Sequence, residues 1–329
     1  MAMQCMIPSS LELSPEDVVS LSSHLEQPDS PIRRFLVERF PNTRPVVADV
    51  RAAMTGARTI LPADAEGYTW SMMGTAVDFR LRGYFEPVSF TSQPTAGVMN
   101  LWGAEGAGLL ENVAARLDDD AEDVESVGRR LDRASEELLA RYCLVLSYFE
   151  TVFRSGRIPP EIASIDPSRA TPETLLSIPK QVAVDDLCAL SWAFYDRHAD
   201  VLTKPVILNP TFEGSDDIGG ADADLVIDGC LWEIKTYKQP QAKQIYETAY
   251  QLLGYALLDY DDSCGIREIG IYFSRQATLV RWPLVDFMAK MAGSDVPPLN
   301  ELRTAFAKVA EKARKAEERM LRRLTARPS

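Results

Sequence analysis

The chain has 329 residues, 46% apolar and 25% charged, enough for one large folded unit or two ordinary ones with an ample core. No run approaches the ~18 uncharged apolar residues of a membrane span. The net charge of −13 is opposite in sign to that of a protein whose whole surface grips nucleic acid, which counts against tight non-specific binding but does not exclude a nuclease.

Two histidines, His24 and His198, cannot build a histidine-rich metal centre. The five cysteines, Cys5, Cys143, Cys188, Cys230 and Cys264, are scattered and without Cys-x-x-Cys spacing. That argues against a disulfide framework, a structural zinc or an iron–sulfur cluster. Any metal must therefore sit on carboxylates, which selects Mg²⁺ or Mn²⁺ over zinc. Residues 1–11 carry neither a basic n-region nor an apolar h-region, so a cytoplasmic location is expected.

The first third reads as helical. Ser14 as N-cap and Pro15 at the first helical position start one helix. A second is expected over 32–40, ended by Pro41, a third over 46–54, stopped near Gly56, and a fourth over 68–84. The longest is expected over 121–154. There Val124, Val127, Leu131, Ala134, Leu138, Tyr142, Val145, Phe149 and Val152 recur at spacings of three and four, an amphipathic seam sustained for about four heptads. Its charged first half is expected to project and its apolar second half to be buried, and the seam offers a route to a protein partner or to self-association. A proline- and serine-rich loop follows over 156–179, then a helix over 182–200.

A strand is expected over 204–210, then a hairpin over 222–236. A helix at 241–259, two strands at 266–274 and 278–282 joined by a tight turn, and helices at 285–291 and 299–325 complete the chain. The order helix, strand, strand, strand, helix, strand, strand predicts an α/β fold, a small mixed sheet flanked by helices. The expected organisation is a helical N-terminal region over 1–66, a first core helix over 67–84 and a helical insertion over 85–203. A core over 204–283 and C-terminal helices over 284–329 follow.

The hairpin carries the chemistry. Asp228-Gly229 between two β-rich runs is a type I′ turn signal, since that turn needs φ > 0 at both central residues. A two-residue loop sets the register: Ile227 faces Cys230, Val226 faces Leu231, Leu225 faces Trp232, Asp224 faces Glu233 and Asp222 faces Lys235. Alternation then puts Ala223, Leu225, Ile227, Cys230, Trp232 and Ile234 on one apolar face. The other face carries Asp222, Asp224, Glu233 and Lys235. Opposed carboxylates repel, and a divalent cation between them would remove the repulsion. Carboxylates, a metal and a lysine make a phosphodiester-hydrolysis site. The plain alternative is a solvent-facing sheet surface with an Asp222–Lys235 ion pair.

Three features in order resemble the PD-(D/E)XK phosphodiesterase superfamily, in particular its RecB-type branch. They are Asp224 with Glu233-Ile234-Lys235 as the E-x-K, the Q-x-x-x-Y of Gln251 to Tyr255 on the next helix, and Gly74-Thr75-Ala76-Val77-Asp78 upstream. The branch usually has a metal-binding histidine where this chain has Asp78. The resemblance covers roughly 80 residues and the upstream helix, and implies a restriction-endonuclease-like core. It implies that Asp224, Glu233 and the Ile234 carbonyl hold Mg²⁺ or Mn²⁺, with Asp78 or Glu213 as third ligand. Lys235 would orient or activate the attacking water, and Gln251 and Tyr255 would position the scissile strand or Lys235.

Each residue also has a plainer reading: Tyr255 as a core aromatic, Gln251 as helix surface, Asp78 as a solvated charge, and Lys238 and Lys243 as ordinary exposed lysines. Two function classes follow. The first is a metal-dependent nuclease, with DNA the leading substrate, in one variant regulated by a partner in a phage-defence or DNA-repair setting. The second is a nucleic-acid-binding or assembly module that keeps the fold without catalysis.

Overall fold

Asp228 and Gly229 sit at φ 50° and 77°, the left-handed pair that a type I′ turn demands and that the Asp-Gly dipeptide supplies at low steric cost. Around this turn the strands β2 (Leu225–Ile227) and β3 (Cys230–Lys235) pair antiparallel in the expected register, Ile227 with Cys230, Val226 with Leu231 and Leu225 with Trp232. The computed structural model describes residues 20–64, 70–88, 92–119 and 127–325. The expected helix start at Ser14 lies outside them.

The sheet has five strands in sequential order, β1 (Val206–Leu208), β2, β3, β4 (Glu268–Phe273) and β5 (Thr278–Pro283). Every neighbouring pair is antiparallel except β3 and β4. A parallel pair cannot be joined by a tight turn. The crossover is made by α9 (Ala242–Leu258). The fold is thus α/β, an open mixed sheet flanked by helices.

Helices cover both faces. Before the sheet come α1 (Leu21–Glu26), α2 (Pro31–Arg39), α3 (Arg44–Ala53), α4 (Trp70–Arg82), α5 (Ser92–Asp119), α6 (Arg133–Ser155), α7 (Pro172–Ser177) and α8 (Gln181–His198). After it come α10 (Leu284–Ala292) and α11 (Leu299–Thr325). Prolines in the first turn of α2 and α3 start those helices without losing a hydrogen bond.

On one face Val226, Leu231, Ile269, Ile271 and Phe273 pack with α1–α3 and α9–α11. On the other, Leu225, Ile227, Cys230, Trp232, Ile234 and Tyr272 pack with α4 to α8. Both sides of β2 and β3 are therefore buried, and the two-residue alternation of each strand feeds two separate cores. Segment 85–203 shares its core with the sheet.

Three expectations need correction. The helix expected over 121–154 begins only at Arg133, where the Asp132 side chain accepts a 2.9 Å hydrogen bond from Ser135 N. Val127 and Gly128 form a turn with Gly128 at φ 68°, and residues 120–126 lie outside the described residues. The second half of the expected helix is buried as anticipated, with Leu139, Tyr142, Val145, Phe149 and Val152 packed in the second core.

Second, α5 had no place of its own in the sequence pattern. It is kinked at Gly103 (φ 64°, ψ −154°) and approaches α6 so closely that a Cβ at Gly97 would stand 1.9 Å from the Phe149 carbonyl oxygen. Third, Ala223 packs with Val226 and Leu231, not with Leu225, because regular alternation stops where the β2 ladder stops.

Two buried ion pairs tie the layers together. Arg80 on α4 donates to both carboxylate oxygens of Glu136 on α6, at 2.7 and 2.8 Å, and both side chains are fully buried. Arg275, in the turn after β4, does the same to Asp186 on α8, at 3.1 and 2.9 Å.

Candidate active site

Glu233 and Lys235 lie two residues apart on β3 and so share one face, the face covered by α9. Lys235 Nζ donates to Glu233 Oε1 at 2.8 Å and to Gln251 Oε1 at 3.2 Å. Gln251 Nε2 in turn donates to the Tyr255 hydroxyl at 2.8 Å. Gln251 and Tyr255 are four apart on α9, one above the other. Asp224, at the entrance to β2, accepts from Ile234 N at 2.6 Å through Oδ2. The structure therefore brings Glu233, Lys235, Gln251 and Tyr255 into one hydrogen-bonded run, with the Asp224–Ile234 bond beside it.

This group is largely withdrawn from water. Glu233 is 4% exposed and Asp224 and Lys235 are half-buried. Burial, reinforced by the charges of Glu233 and Asp78, pushes the Asp224 carboxyl well above the ordinary carboxylate range, against Lys235 and the Ile234 N–H. Burial works to lower Lys235, but Glu233, Tyr237 and Asp224 together hold it above the usual lysine range. It is an ammonium donor, not a base. The Tyr255 phenol is held well above its usual value, first by burial and then by Glu233 and Asp224, so it stays protonated. Tyr255 is also a core aromatic, stacked on Phe212 at 5.5 Å.

Asp78 on α4 is near enough for its charge to act on Asp224. One of its oxygens pairs with Arg82, at the i,i+4 spacing of a helical ion pair. The Glu150 carboxylate of α6 also acts on this corner and is bonded to Arg154 at 2.6 Å. No sequence signal singled out Glu150, since only the tertiary fold brings α6 to α4.

Asp222, opposed to Lys235 by simple extrapolation of the register, is exposed and bridges to Thr211. Lys235 takes Glu233 and Gln251 instead, because the β2 ladder ends at Leu225 and no longer holds Asp222 in register. Glu213 is exposed, and its charge acts on Tyr260 rather than on Asp224.

Among the described residues no three His, Cys, Asp or Glu side chains are gathered into a ready metal cage. Mg²⁺ does not require one, since it keeps several waters and takes one or two carboxylates plus substrate phosphate. Two buried carboxylate oxygens, Glu233 Oε2 and Asp78 Oδ1, have no hydrogen-bond partner. A buried acceptor left unpaired is costly, and the crowding of Asp224, Glu233 and Asp78 adds repulsion. Unpaired hard oxygens beside like charges are the chemistry that a hard divalent cation relieves, so the donor set fits Mg²⁺ or Mn²⁺.

That crowding predicts a pH effect. A carboxyl whose folded-state pKa is raised binds its proton more tightly when folded, so its contribution to stability is full below the unfolded value and is lost as pH rises through the folded one. Asp224→Asn keeps the acceptor for Ile234 N and removes the charge. It is expected to melt higher than the parent at pH 8, by the ~0.5–2 kcal/mol typical of relieving functional strain, with the gain shrinking at pH 4. Thermal melts at the two pH values measure this, and an equal gain at both would contradict it.

No known protein family matches the chain, and no curated protein or solved structure matches it. Among the described residues no helix is long and apolar enough to cross a membrane.

Proposed function

We propose that the protein is a metal-dependent phosphodiesterase of the PD-(D/E)XK type, acting on nucleic acid and in the first place on DNA. The observation that carries this reading is the continuous Glu233–Lys235–Gln251–Tyr255 hydrogen-bond run beside Asp224. A restriction-endonuclease-like core is supported by the helix-then-three-strands, helix-then-two-strands order with its single parallel pair.

In this reading Asp224 and Glu233, with Asp78 at the edge, would hold Mg²⁺ or Mn²⁺. Such an ion lowers the pKa of water and offsets charge developing on a phosphate. Lys235, with two of its protons donated to Glu233 and Gln251, would offer its remaining N–H and its charge to the reacting centre, where an ammonium orients a water and stabilises negative charge. Gln251 fixes the Lys235 ammonium against Glu233, and Tyr255 fixes Gln251. Ile234 N–H fixes the Asp224 carboxylate, so Lys235 and Asp224 are each oriented by a neutral partner. Surrounding burial strengthens every charge interaction at the site.

Plasmid DNA, linear duplex and single strands, and RNA, incubated with Mg²⁺ or Mn²⁺, are expected to be cut, with activity lost in EDTA and in Glu233→Gln. Cutting that persists in EDTA would defeat the mechanism. The second reading, a binding module without catalysis, is favoured by one feature, the ion pair that ties Lys235 to Glu233. Tight binding without cutting, across all these substrates and both metals, would select it.

A further inference from the structure

Beyond the carboxyl ends of the parallel strands β3 and β4 lies a cavity of about 610 Å³, within the range of small-molecule sites. Its walls are α3 and the chain that follows it on one side, and the corner leading into α9 on the other. Ligands of open α/β sheets commonly bind at this end of parallel strands.

The lining is unlike the rest of the molecule. The chain carries 48 acidic residues, yet among the described residues none lines this cavity, while Arg51 and Lys238 both do. Both are exposed and make no ion pair among the described residues. The first turn of α9, a helix of 17 residues that opens on the cavity at Gln241, carries no acid either. A capping box between Gln241 and Gln244 takes the third N–H of that turn, and the N–H groups of its first two residues favour an anion.

Gln276 forms the floor. It is 4% exposed. Its Nε2 donates to the Lys238 carbonyl at 3.0 Å, with longer contacts to the Tyr237 carbonyl and to Thr59 Oγ1, both 3.4 Å, so one amide spans both walls. Its Oε1 is buried and has no hydrogen-bond partner. A buried amide oxygen left without a donor, in a cavity lined by cations, fits a ligand that brings both an anion and an N–H group. A nucleotide has both, a phosphate and a base edge.

We propose that this cavity is a nucleotide subsite of the same active centre, in which Arg51 and Lys238 meet a phosphate of the substrate strand and Gln276 Oε1 accepts from a base N–H. The proposal rests on the nuclease reading for its placement. Lys238 follows Lys235 by three residues, a span of at most about 10 Å. With ~3.4 Å of rise per nucleotide, the occupant is a nucleotide a few positions from the scissile phosphate.

The test is fluorescence anisotropy with labelled octanucleotides of dA, dC, dG and dT, in EDTA so that nothing is cut. Arg51→Glu/Lys238→Glu is expected to weaken binding at least tenfold and to flatten the log–log salt slope by about 0.7, the value for one neutralised phosphate on a single strand. Gln276→Leu is expected to keep the salt slope and lose discrimination among the four homopolymers. Unchanged affinity and slope in the charge-reversed variant, with an unchanged thermal melt, would overturn the proposal. Free mononucleotides that bind in an Arg51-dependent way without displacing octanucleotide would assign the cavity to a free nucleotide, and overturn its role as a substrate subsite. A parallel cleavage assay separates the two readings. Arg51-dependent binding without any cleavage sinks the nuclease and keeps the nucleotide site, whereas cleavage unaffected by charge reversal sinks the subsite alone.

Discussion

Lys235→Ala is expected to lower phosphodiester hydrolysis by ~10²–10⁴-fold, the range for removing a positioned proton-handling or charge-stabilising group. The same change is expected to destabilise the fold. Lys235 is the cation that pairs with Glu233, and Glu233 is buried with its second oxygen already unpartnered. Removing one member of a buried ion pair costs ~3–5 kcal/mol, because a charge is left uncompensated. Lys235 is half-buried, so solvent screening puts the cost toward the low end. Divalent metal is expected to restore part of the lost stability by taking over the charge on Glu233. Melting with and without Mg²⁺, beside a cleavage time course, reads both effects. Wild-type cleavage rates in Lys235→Ala would remove the lysine from the mechanism.

Arg80→Met is expected to have the largest effect on stability away from the site. Arg80 and Glu136 are fully buried and bidentate, and the guanidinium lies over the Tyr84 ring at 3.9 Å. Methionine fills much of the volume but strands the Glu136 carboxylate, at a cost of ~3–5 kcal/mol. At ~2–4 °C per kcal/mol for large domains, that is a drop of about 6–20 °C. Replacing Glu136 by leucine in the same chain is expected to recover most of the loss, since a packed apolar pair often equals a buried ion pair. A double-mutant cycle by thermal melting checks both statements, and purely additive losses would contradict them. Asp78 lies two residues before Arg80 on α4, so the single variant is also expected to loosen that edge of the site.

The parts of the site visible in the chain were those governed by local rules. Asp228-Gly229 announces its own turn, because both positions need φ > 0, and the turn then sets which residues of β2 and β3 oppose one another. The Gln251 to Tyr255 spacing is legible for the same reason, a fixed helical period. What escaped was decided at long range. Arg80 meets Glu136 across 56 residues and Arg275 meets Asp186 across 89, and nothing local distinguishes these arginines from exposed ones.

Extrapolation also failed at element ends. The pairing of Asp222 with Lys235 assumed a strand longer than the ladder that forms, and the heptad over 121–154 ran through Gly128, where the backbone turns. The carboxylate crowding at Asp224 was legible in kind, though its second source, Asp78, comes from a helix well over a hundred residues upstream.

Helices α4 to α8 all precede the first strand in the chain. On the ribosome they emerge first, and Glu136 follows Arg80 long before any strand exists. At ~5–20 residues per second, Glu233 appears on the order of ten seconds after Asp78. The nascent hairpin thus meets a ready-made template for its Cys230, Trp232 and Ile234 side, while the side that bears Glu233 and Lys235 waits for α9 to close over it. The face that bears Glu233 and Lys235 is therefore the last of the two to be sealed during synthesis.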